Sequence, residues 1–403
     1  MTPLHIAIAG CGPAGLAAAL LLHRDGHRVR LYERFDTPRP IGSGLLIQPT
    51  GLAVLEKLGL DTALKAHGAH VDQLIGKAVR SGATVLDVRY SALGSPARAG
   101  IGIHRAALFA ILHDAVLAAG IPVHTACDIT GSETGAAGKR TLLLADGRRE
   151  GPFDLIVDAL GTRTPLAPPT GKELAYGALW ASLDWPENSA LNPHALEQRY
   201  RAASIMAGVL PIGTAPHDAK AKAALFWSIK GADVAAWREA GLEAWKSDVR
   251  AVWPAVEPLL EQITDADQLI FARYAHRTLK TSGEAGLVHI GDAWHSASPQ
   301  LGQGANMALL DAWALALGLR EGSDVSDAIA RAIAYRRFHV WLYQVLTAFF
   351  TPVYQSDSRA IPFLRDRLVG PVSKVWPAPG IQAALVSGLV GAPLGRLGLR
   401  QDV

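Results

Sequence analysis

The stretch from His5 to Glu33, HIAIAGCGPAGLAAALLLHRDGHRVRLYE, constrains this chain more than any other. A short apolar run, Ile6 to Ala9, reads as a buried strand. Gly10, Gly12 and Gly15 follow in the spacing G-x-G-x-x-G, then a helical Ala/Leu stretch from Leu16 to Leu22. A second strand, Arg28 to Tyr32, ends at Glu33. Gly10 permits a tight turn, Gly12 lets backbone approach a pyrophosphate, and Gly15 lets helix and strand pack closely. The first turn of the helix offers unpaired N–H groups and the positive end of a dipole. Glu33 lies about 20 residues beyond the glycines, where an acid accepts from ribose hydroxyls. The glycines alone say little. With the strand, the helix and the terminal acid they point to an adenine dinucleotide, against the alternative of a Gly-rich turn that binds nothing.

The chain has 403 residues, enough for two or three domains with cores of their own. A formal charge of +3 without a basic block gives no support for nucleic-acid binding. Two cysteines, Cys11 and Cys127, make a disulfide framework or structural zinc site unexpected, and no metal is assigned. Cys11, at a variable position of the glycine loop, reads as a small filler. No charged leader precedes an apolar segment. The longest uncharged run, between Lys374 and Arg396, is interrupted by Pro377, Pro379 and Pro393. A membrane span needs about 20 mostly apolar residues, so a packed C-terminal helix, no membrane span and a cytoplasmic location are expected.

Further along, Leu45 to Ile47 reads as a short strand and Pro49 to Leu58 as a helix. Val71 to Tyr90 reads as strands turning at Ser81-Gly82. In Gly102 to Gly120, Leu108, Ile111, Leu112 and Val116 have helical spacing, with Arg105 at the helix start. Ile121 to Cys127 is expected as a strand, Thr141 to Phe153 as a hairpin, and Asp154 to Ala159 as an apolar strand entering Gly161. Between Leu174 and Phe271 the composition shifts to aromatic residues and β-type runs: Tyr176 to Leu183, Ala203 to Ile212 and Ala224 to Ile229. A helical piece, Val234 to Trp253, follows them. Leu287 to Ile290 then reads as a buried strand, and Gly302-Gln303-Gly304 opens a long helix. Helices from Val325 to Phe350 and around Arg359 to Leu368 close the chain.

Three motifs in this order resemble the flavin-dependent aromatic hydroxylases, the single-component class A monooxygenases related to para-hydroxybenzoate hydroxylase. They are GCGPAG with Glu33-Arg34, the middle block DLIVDALGTRT, and GDAWHSASPQLGQGANMALLDA. The helix with Arg105, Leu108 and Leu112 adds a weaker match. The resemblance spans residue 1 to about residue 350. It implies an α/β plus α+β fold: a non-contiguous Rossmann-like FAD-binding domain, an inserted open-sheet substrate domain, and C-terminal helices. The expected division is 1–70, 97–170 and 285–330 for FAD, 71–96 and 171–284 for substrate, and 331–403 for the helices.

The resemblance implies FAD in the N-terminal loop, on Gly10, Gly12, Pro13, Ala14 and Gly15. Glu33 holds the adenosine ribose, with Arg34 and Arg105 near the adenosine and pyrophosphate. Asp292, after Gly291, holds the ribityl chain or a pyrophosphate-bound water. Gly44, Asp158 and Gly161 complete the cofactor set. The backbone through Gly302, Gly304, Ala305 and Asn306 faces the pyrimidine edge of the isoalloxazine, and Pro299 lies where oxygen reacts. The helix beginning near Ala305 sets a positive dipole end where reduced flavin is negative.

The implied activity is hydroxylation of an aromatic or hydrophobic planar molecule, using NADH or NADPH and O2, through a flavin C(4a)-hydroperoxide. Members lack a separate nicotinamide domain, so the absence of a second nucleotide-binding fingerprint here does not count against this activity. Gln48, His295 and Pro299 are catalytic candidates, and His276 or Tyr274 could serve as the base. Trp180, Met206, Leu210 and Trp227 are candidates for the pocket lining. A monomer or homodimer is expected. Two positions depart from the family pattern. Leu160 stands where a motif carboxylate is usual, with Asp158 two residues earlier, and Trp294 replaces an alanine, a packing change. The Asp-Ala-x-Gly form keeps an FAD-dependent reductase or halogenase open as alternatives, with a non-catalytic flavin sensor as a third. Halogenases carry a Trp-x-Trp-x-Ile-Pro segment that is missing here.

Overall fold

A computed structural model describes residues 1–38, 43–94, 99–358, 360–369 and 375–399. Gly42, Arg359 and Lys374 lie outside the described residues. The strand His5–Ala9 sits inside a six-stranded sheet, between Arg28–Tyr32 and Leu155–Asp158. Val123–His124 closes one side, and Leu287–His289 followed by Gly283–Glu284 closes the other. Every pairing is parallel except the last. Ile6 through Ala9 are buried on both faces, as the uninterrupted apolar run requires. Parallel strands all point one way. Gly10, Glu33, Ala159–Gly161 and Gly291–Asp292 therefore arrive together at one edge of the sheet, however far apart they lie in sequence.

A seven-stranded sheet runs in the order Ile270–Ala272, Tyr176–Asp184, Ala221–Lys230, Ile205–Thr214, Ala195–Arg201, Gln73–Ala78, Thr84–Arg89. Its two faces alternate. Leu179, Ala207, Val209, Leu225 and Trp227 pack under the helices Val234–Ala240 and Leu242–Val252. Trp180, Met206, Leu210 and Phe226 occupy the opposite face, in clusters that include Leu46, Val71 and Tyr90. The small antiparallel sheet Gly44–Ile47, Gly100–His104, Ala69–Val71 makes the junction. Contact there is close enough to demand glycine. A Cβ at Gly102 would stand 2.0 Å from the Pro211 carbonyl oxygen, and one at Gly44 would stand 2.4 Å from Ile212.

The helix Gly304–Glu321 runs through the core and is covered by the 30-residue helix Val325–Tyr354. Shorter helices follow at Ala360–Leu364, Ala378–Val386 and Pro393–Arg396. Several strands have no counterpart in the sequence reading, the longest being Gly100–His104, Ile129–Thr134 and Ala195–Arg201. The first is glycine-rich and packs through its backbone. The last hides behind polar residues: its Arg199 lies 4.3 Å over the Trp253 ring and 3.8 Å from Glu197. The strand expected over Ile121 to Cys127 shrinks to Val123–His124.

Candidate active site

Gly10 leaves its strand at φ +104°, and a Cβ there would stand 2.6 Å from the Ala159 carbonyl oxygen. A Cβ at Gly15 would come within 2.0 Å of the Gly10 carbonyl oxygen. At Gly12 nothing lies within 4 Å, so the outer side of the turn is open. The helix Pro13–Arg24 has no side-chain cap and no acid in its first turn. Its leading N–H groups and dipole are thus left for an external anion. Glu33 accepts from the Cys11 N–H at 3.1 Å and the Phe35 N–H at 3.2 Å, which fixes its carboxylate at the lip of the loop. Cys11 is buried, and burial pushes its thiol up to about 12, which suits a filler. Arg34 is exposed, its guanidinium 4.6 Å from the Phe35 ring centre.

Arg105 begins the helix Arg105–Ala118 and is held by its own N–H, 2.9 Å from the Ser43 carbonyl. Its guanidinium is exposed and forms no hydrogen bond or ion pair among the described residues. Asp292 is solvent-accessible yet lies deep in the protein mass. Burial raises its pKa, while the positive fields of His295 and Arg105 pull it down. Arg105 and Asp292 therefore belong to one cleft.

At the far end of that cleft Pro299–Leu301 forms a short turn, Gly302 adopts φ +61°, and Gly304 opens its helix with no side-chain cap and no acid in the first turn. A Cβ at Gly304 would meet nothing within 4 Å, so that turn too faces open space. Asn306 pins the loop from behind. Its Oδ1 accepts from the Gln48 N–H at 2.8 Å, and its Nδ2 donates to the carbonyls of Leu46 and Gly302 at 3.1 and 3.0 Å. The Tyr90 hydroxyl donates to Gln48 Oε1 at 2.6 Å. The remaining Gln48 nitrogen, Nε2, is buried without a partner, and so is Gln303 Oε1, among the described residues. Unpaired buried polar atoms are costly and uncommon. The Gln48 nitrogen is the one beside the Gly302 turn, 3.8 Å from where a Cβ on Gly302 would stand, whereas the Gln303 amide is turned toward Val386 and Gly388.

Behind this loop lies a closed polar knot. Asp311 accepts from Arg336 Nε at 2.7 Å, from the Gly291 N–H at 2.9 Å, and bonds His295 Nε2 at 2.7 Å. Burial pushes Asp311 up, but His295 and Arg336 outweigh it and hold the carboxyl at about 2. His339 bonds Arg336 at 2.8 Å and the Gly388 carbonyl at 2.9 Å. Burial, then Arg336, drives its pKa down to about 3.

The family profile described as "FAD binding domain" matches residues 4–167. The 6-hydroxynicotinate 3-monooxygenase of Pseudomonas fluorescens is 25% identical over 355 residues, covering 82% of this chain and 86% of the relative. The kynurenine 3-monooxygenase of Xanthomonas campestris is 29% identical over 360 residues, covering 83% and 76%. Over about four fifths of its length the chain is thus similar to FAD-dependent aromatic monooxygenases. Its fold is that of a 2-methyl-3-hydroxypyridine-5-carboxylic acid oxygenase variant, with TM-score 0.78, 21% identity and 98% of each chain covered.

The monooxygenase's cleft fits FAD on three counts: a glycine turn in which Gly10 and Gly15 admit no Cβ, a cation unpaired among the described residues, and an orphaned Gln48 amide nitrogen at the Gly302 turn. Several sequence assignments need correcting. Asp158 does not reach the cleft. It is fully buried, accepting from the Leu160 N–H at 3.0 Å and the Thr164 hydroxyl at 2.7 Å, and bonding His289 Nδ1 at 2.7 Å. The displaced acid thus secures the turn at Gly161, while Leu160 packs with Tyr32 and Phe153. Gly44 serves the junction with Ile212. Asn306 spends its side chain on the loop. Trp294 packs with Leu279, Leu301 and Met307, as a packing residue should.

Trp227 is on the wrong face of the monooxygenase's large sheet. Trp180, Met206 and Leu210 point toward the FAD-binding part, and the aromatic partner there is Phe226, one residue before Trp227. The Trp180 and Phe226 rings lie 4.7 Å apart, and Gly208 is bare because a Cβ would stand 2.0 Å from the Phe226 ring. Trp227 instead borders an open hollow of about 480 Å³ under the outer helices. Strand alternation was legible, but the inward phase was not, and Gly208 opposite Phe226 was the available clue. Among the base candidates, His295 is tied to Asp311. Tyr274 accepts from Trp180 Nε1 at 2.9 Å, and burial pushes its phenol up to about 12, so it stays protonated and acts as a donor. Burial lowers the pKa of His276, so its ring is free of charge near neutrality. Pro299 is exposed at the cleft turn. On the surface His70, Asp72 and His194 gather potential ligand atoms within 4.8 Å, although His70 and Asp72 already bond each other at 3.1 Å.

Proposed function

We propose that this monooxygenase hydroxylates a planar, largely apolar aromatic compound held between the flavin loop and the inner face of the seven-stranded sheet. The observation that carries this is the orphaned Gln48 amide nitrogen beside the Gly302 turn, together with an aromatic wall of Trp180, Phe226 and Tyr90. Bound FAD supplies the redox chemistry: a hydride from NADH or NADPH, O2 as oxidant, one oxygen atom to substrate and the other to water.

The chain's own residues supply the rest. The Gly10–Gly15 turn and Arg105 take the pyrophosphate, Glu33 the ribose, and Asp292 the ribityl region. Gln48 Nε2 donates toward the isoalloxazine, oriented by the Tyr90 hydroxyl. The N-terminus of the Gly304–Glu321 helix stabilises negative charge developing there. The wall of Trp180, Met206, Leu210 and Phe226 excludes water. Tyr274, its oxygen accepting from Trp180 and its proton retained, donates a hydrogen bond to a substrate oxygen, and neutral His276 accepts a proton. The similarity to 6-hydroxynicotinate and kynurenine monooxygenases supports a single-ring or fused-ring phenol or its nitrogen analogue. We assign 1–70, 97–170 and 285–330 to FAD, 71–96 and 171–284 to substrate, and 331–403 to a helical tail. We place the enzyme in the cytoplasm as a monomer or homodimer.

The test is NAD(P)H oxidation in air by the FAD-loaded protein against a panel of phenols, hydroxypyridines and quinolones. The expected result is oxidation stimulated by one class, with a product heavier by one oxygen. Stimulated oxidation that yields only reduced substrate, without oxygen uptake, transfers the assignment to a reductase.

A further inference from the structure

Among the described residues, nine of the twelve exposed large apolar side chains lie between Phe338 and Ile381. On the helix Val325–Tyr354, Phe338, Trp341, Val345 and Phe349 recur at i, i+3, i+7 and i+11, which makes one stripe. Their exposures are 43, 56, 48 and 67%. The other side of the same helix buries Arg336, His339, Val340, Tyr343 and Thr347. Phe363, Leu364 and Ile381 are also more than half exposed, and Trp376 is 88% exposed. Scattered apolar residues on a surface are ordinary, but a concentrated stripe of aromatics marks an interface.

Charge identifies the occupant. No Asp, Glu, Lys or Arg occurs from Phe338 to Tyr354. The rim carries cations: Arg396 lies 5.6 Å over the Phe338 ring and Arg367 4.3 Å over Phe363, and Arg337 is exposed beside them. None of the three has a carboxylate partner among the described residues, whereas Asp357 and Asp366 are paired with Lys230 and Arg365. From Arg331 onward the chain holds nine Lys/Arg and three Asp/Glu, a balance of +6 against +3 for the whole. Two copies meeting face to face through this patch would oppose like charges. An anionic bilayer matches it, with aromatics entering the interfacial layer and arginines meeting headgroups.

We propose that the C-terminal helices seat this protein on the surface of an anionic membrane, without crossing it. No described helix is long and apolar enough to cross. The seat does not rest on the reaction assigned above. The helix Ala378–Val386 exposes Ile381 while its Ala383 and Val386 pack with Tyr90 and Leu210.

The test is flotation of the FAD-loaded full chain with phosphatidylcholine vesicles, with and without phosphatidylglycerol. Preferential binding to the anionic vesicles is expected, weakened by salt. Arg337→Gln, Arg367→Gln and Arg396→Gln should each weaken it about fivefold. The triple variant Trp341→Ser, Phe349→Ser, Trp376→Ser should abolish binding while the flavin spectrum and melting temperature stay unchanged, since all three side chains are at the surface. Absence of flotation, or equal binding to both vesicle types, overturns the proposal. A wild-type dimer that the triple variant converts to monomer also overturns it, in favour of self-association.

Discussion

Two arginine–aspartate combinations lie on either side of the Gly291 turn, and they differ in almost every physical respect. Arg336 and Asp311 are buried, 2.7 Å apart, and tied further to His295, His339 and the Gly291 N–H. Arg105 and Asp292 are exposed, feel each other's field and form no ion pair among the described residues. A closed network that saturates its own donors and acceptors holds loops in place. A pair left unsatisfied in a cleft has its bonding capacity reserved for something else. The saturated pair holds the scaffold, and the open one is the pair we assign to the proposed ligand.

The largest effect should come from breaking the closed pair. Arg336→Met leaves the Asp311 carboxylate buried without its arginine partner and should lower unfolding free energy by about 3–5 kcal/mol, measured by urea denaturation. Arg105→Met should leave stability within about 0.5 kcal/mol yet weaken FAD binding roughly ten- to a hundredfold in a fluorescence titration. If Arg105→Met unfolds the protein while Arg336→Met merely loses FAD, the two roles are reversed.

Acid sharpens the contrast. An unfolded histidine takes a proton near its ordinary 6.5, whereas folded His339 resists until about pH 3. The unfolded state thus binds more protons across that window, and stability falls as pH falls through it. Asp311, held at about 2, adds a further loss below the usual carboxylate range. Melting temperature should decline steadily from about pH 6.5 downward, less steeply in His339→Gln. Identical slopes in the two proteins would refute the assignment.

A smaller effect separates the two faces of the large sheet. Trp180→Leu should change KM for the aromatic substrate several-fold, while Trp227→Leu should affect stability alone. The smallest belongs to Tyr90→Phe, which removes the 2.6 Å bond to Gln48. It should lower stability by about 1 kcal/mol and shift the bound-flavin absorption band, since Gln48 loses its orientation. An unchanged spectrum with FAD fully bound would detach Gln48 from the ring.

Much of the architecture could be read from local signals. The helix Pro49–Leu58 and the strand Arg28–Tyr32 have the bounds their residues suggest, because capping, apolar spacing and turn chemistry act within a few residues. Gly100–His104 and Ala195–Arg201 escaped because their stability comes from partners elsewhere: a Pro211 carbonyl in one case, Trp253 and Glu197 in the other. Asp158 misled for a related reason. Its position in the motif is visible in sequence, but the Thr164 hydroxyl and His289 ring that occupy it are not.

By itself the sequence determined that a dinucleotide loop, an acid at the second strand and a flavin-type glycine turn occur in this chain and in this order. Those are covalent facts about neighbouring residues, and elementary sterics gives them meaning. Only the tertiary structure decided which polar atoms remain unpaired at the cleft, which face of the large sheet looks inward, and which aspartate is sealed away. Each of these depends on groups brought together from distant segments, and a hydrogen bond is satisfied or left open only once both partners have a place.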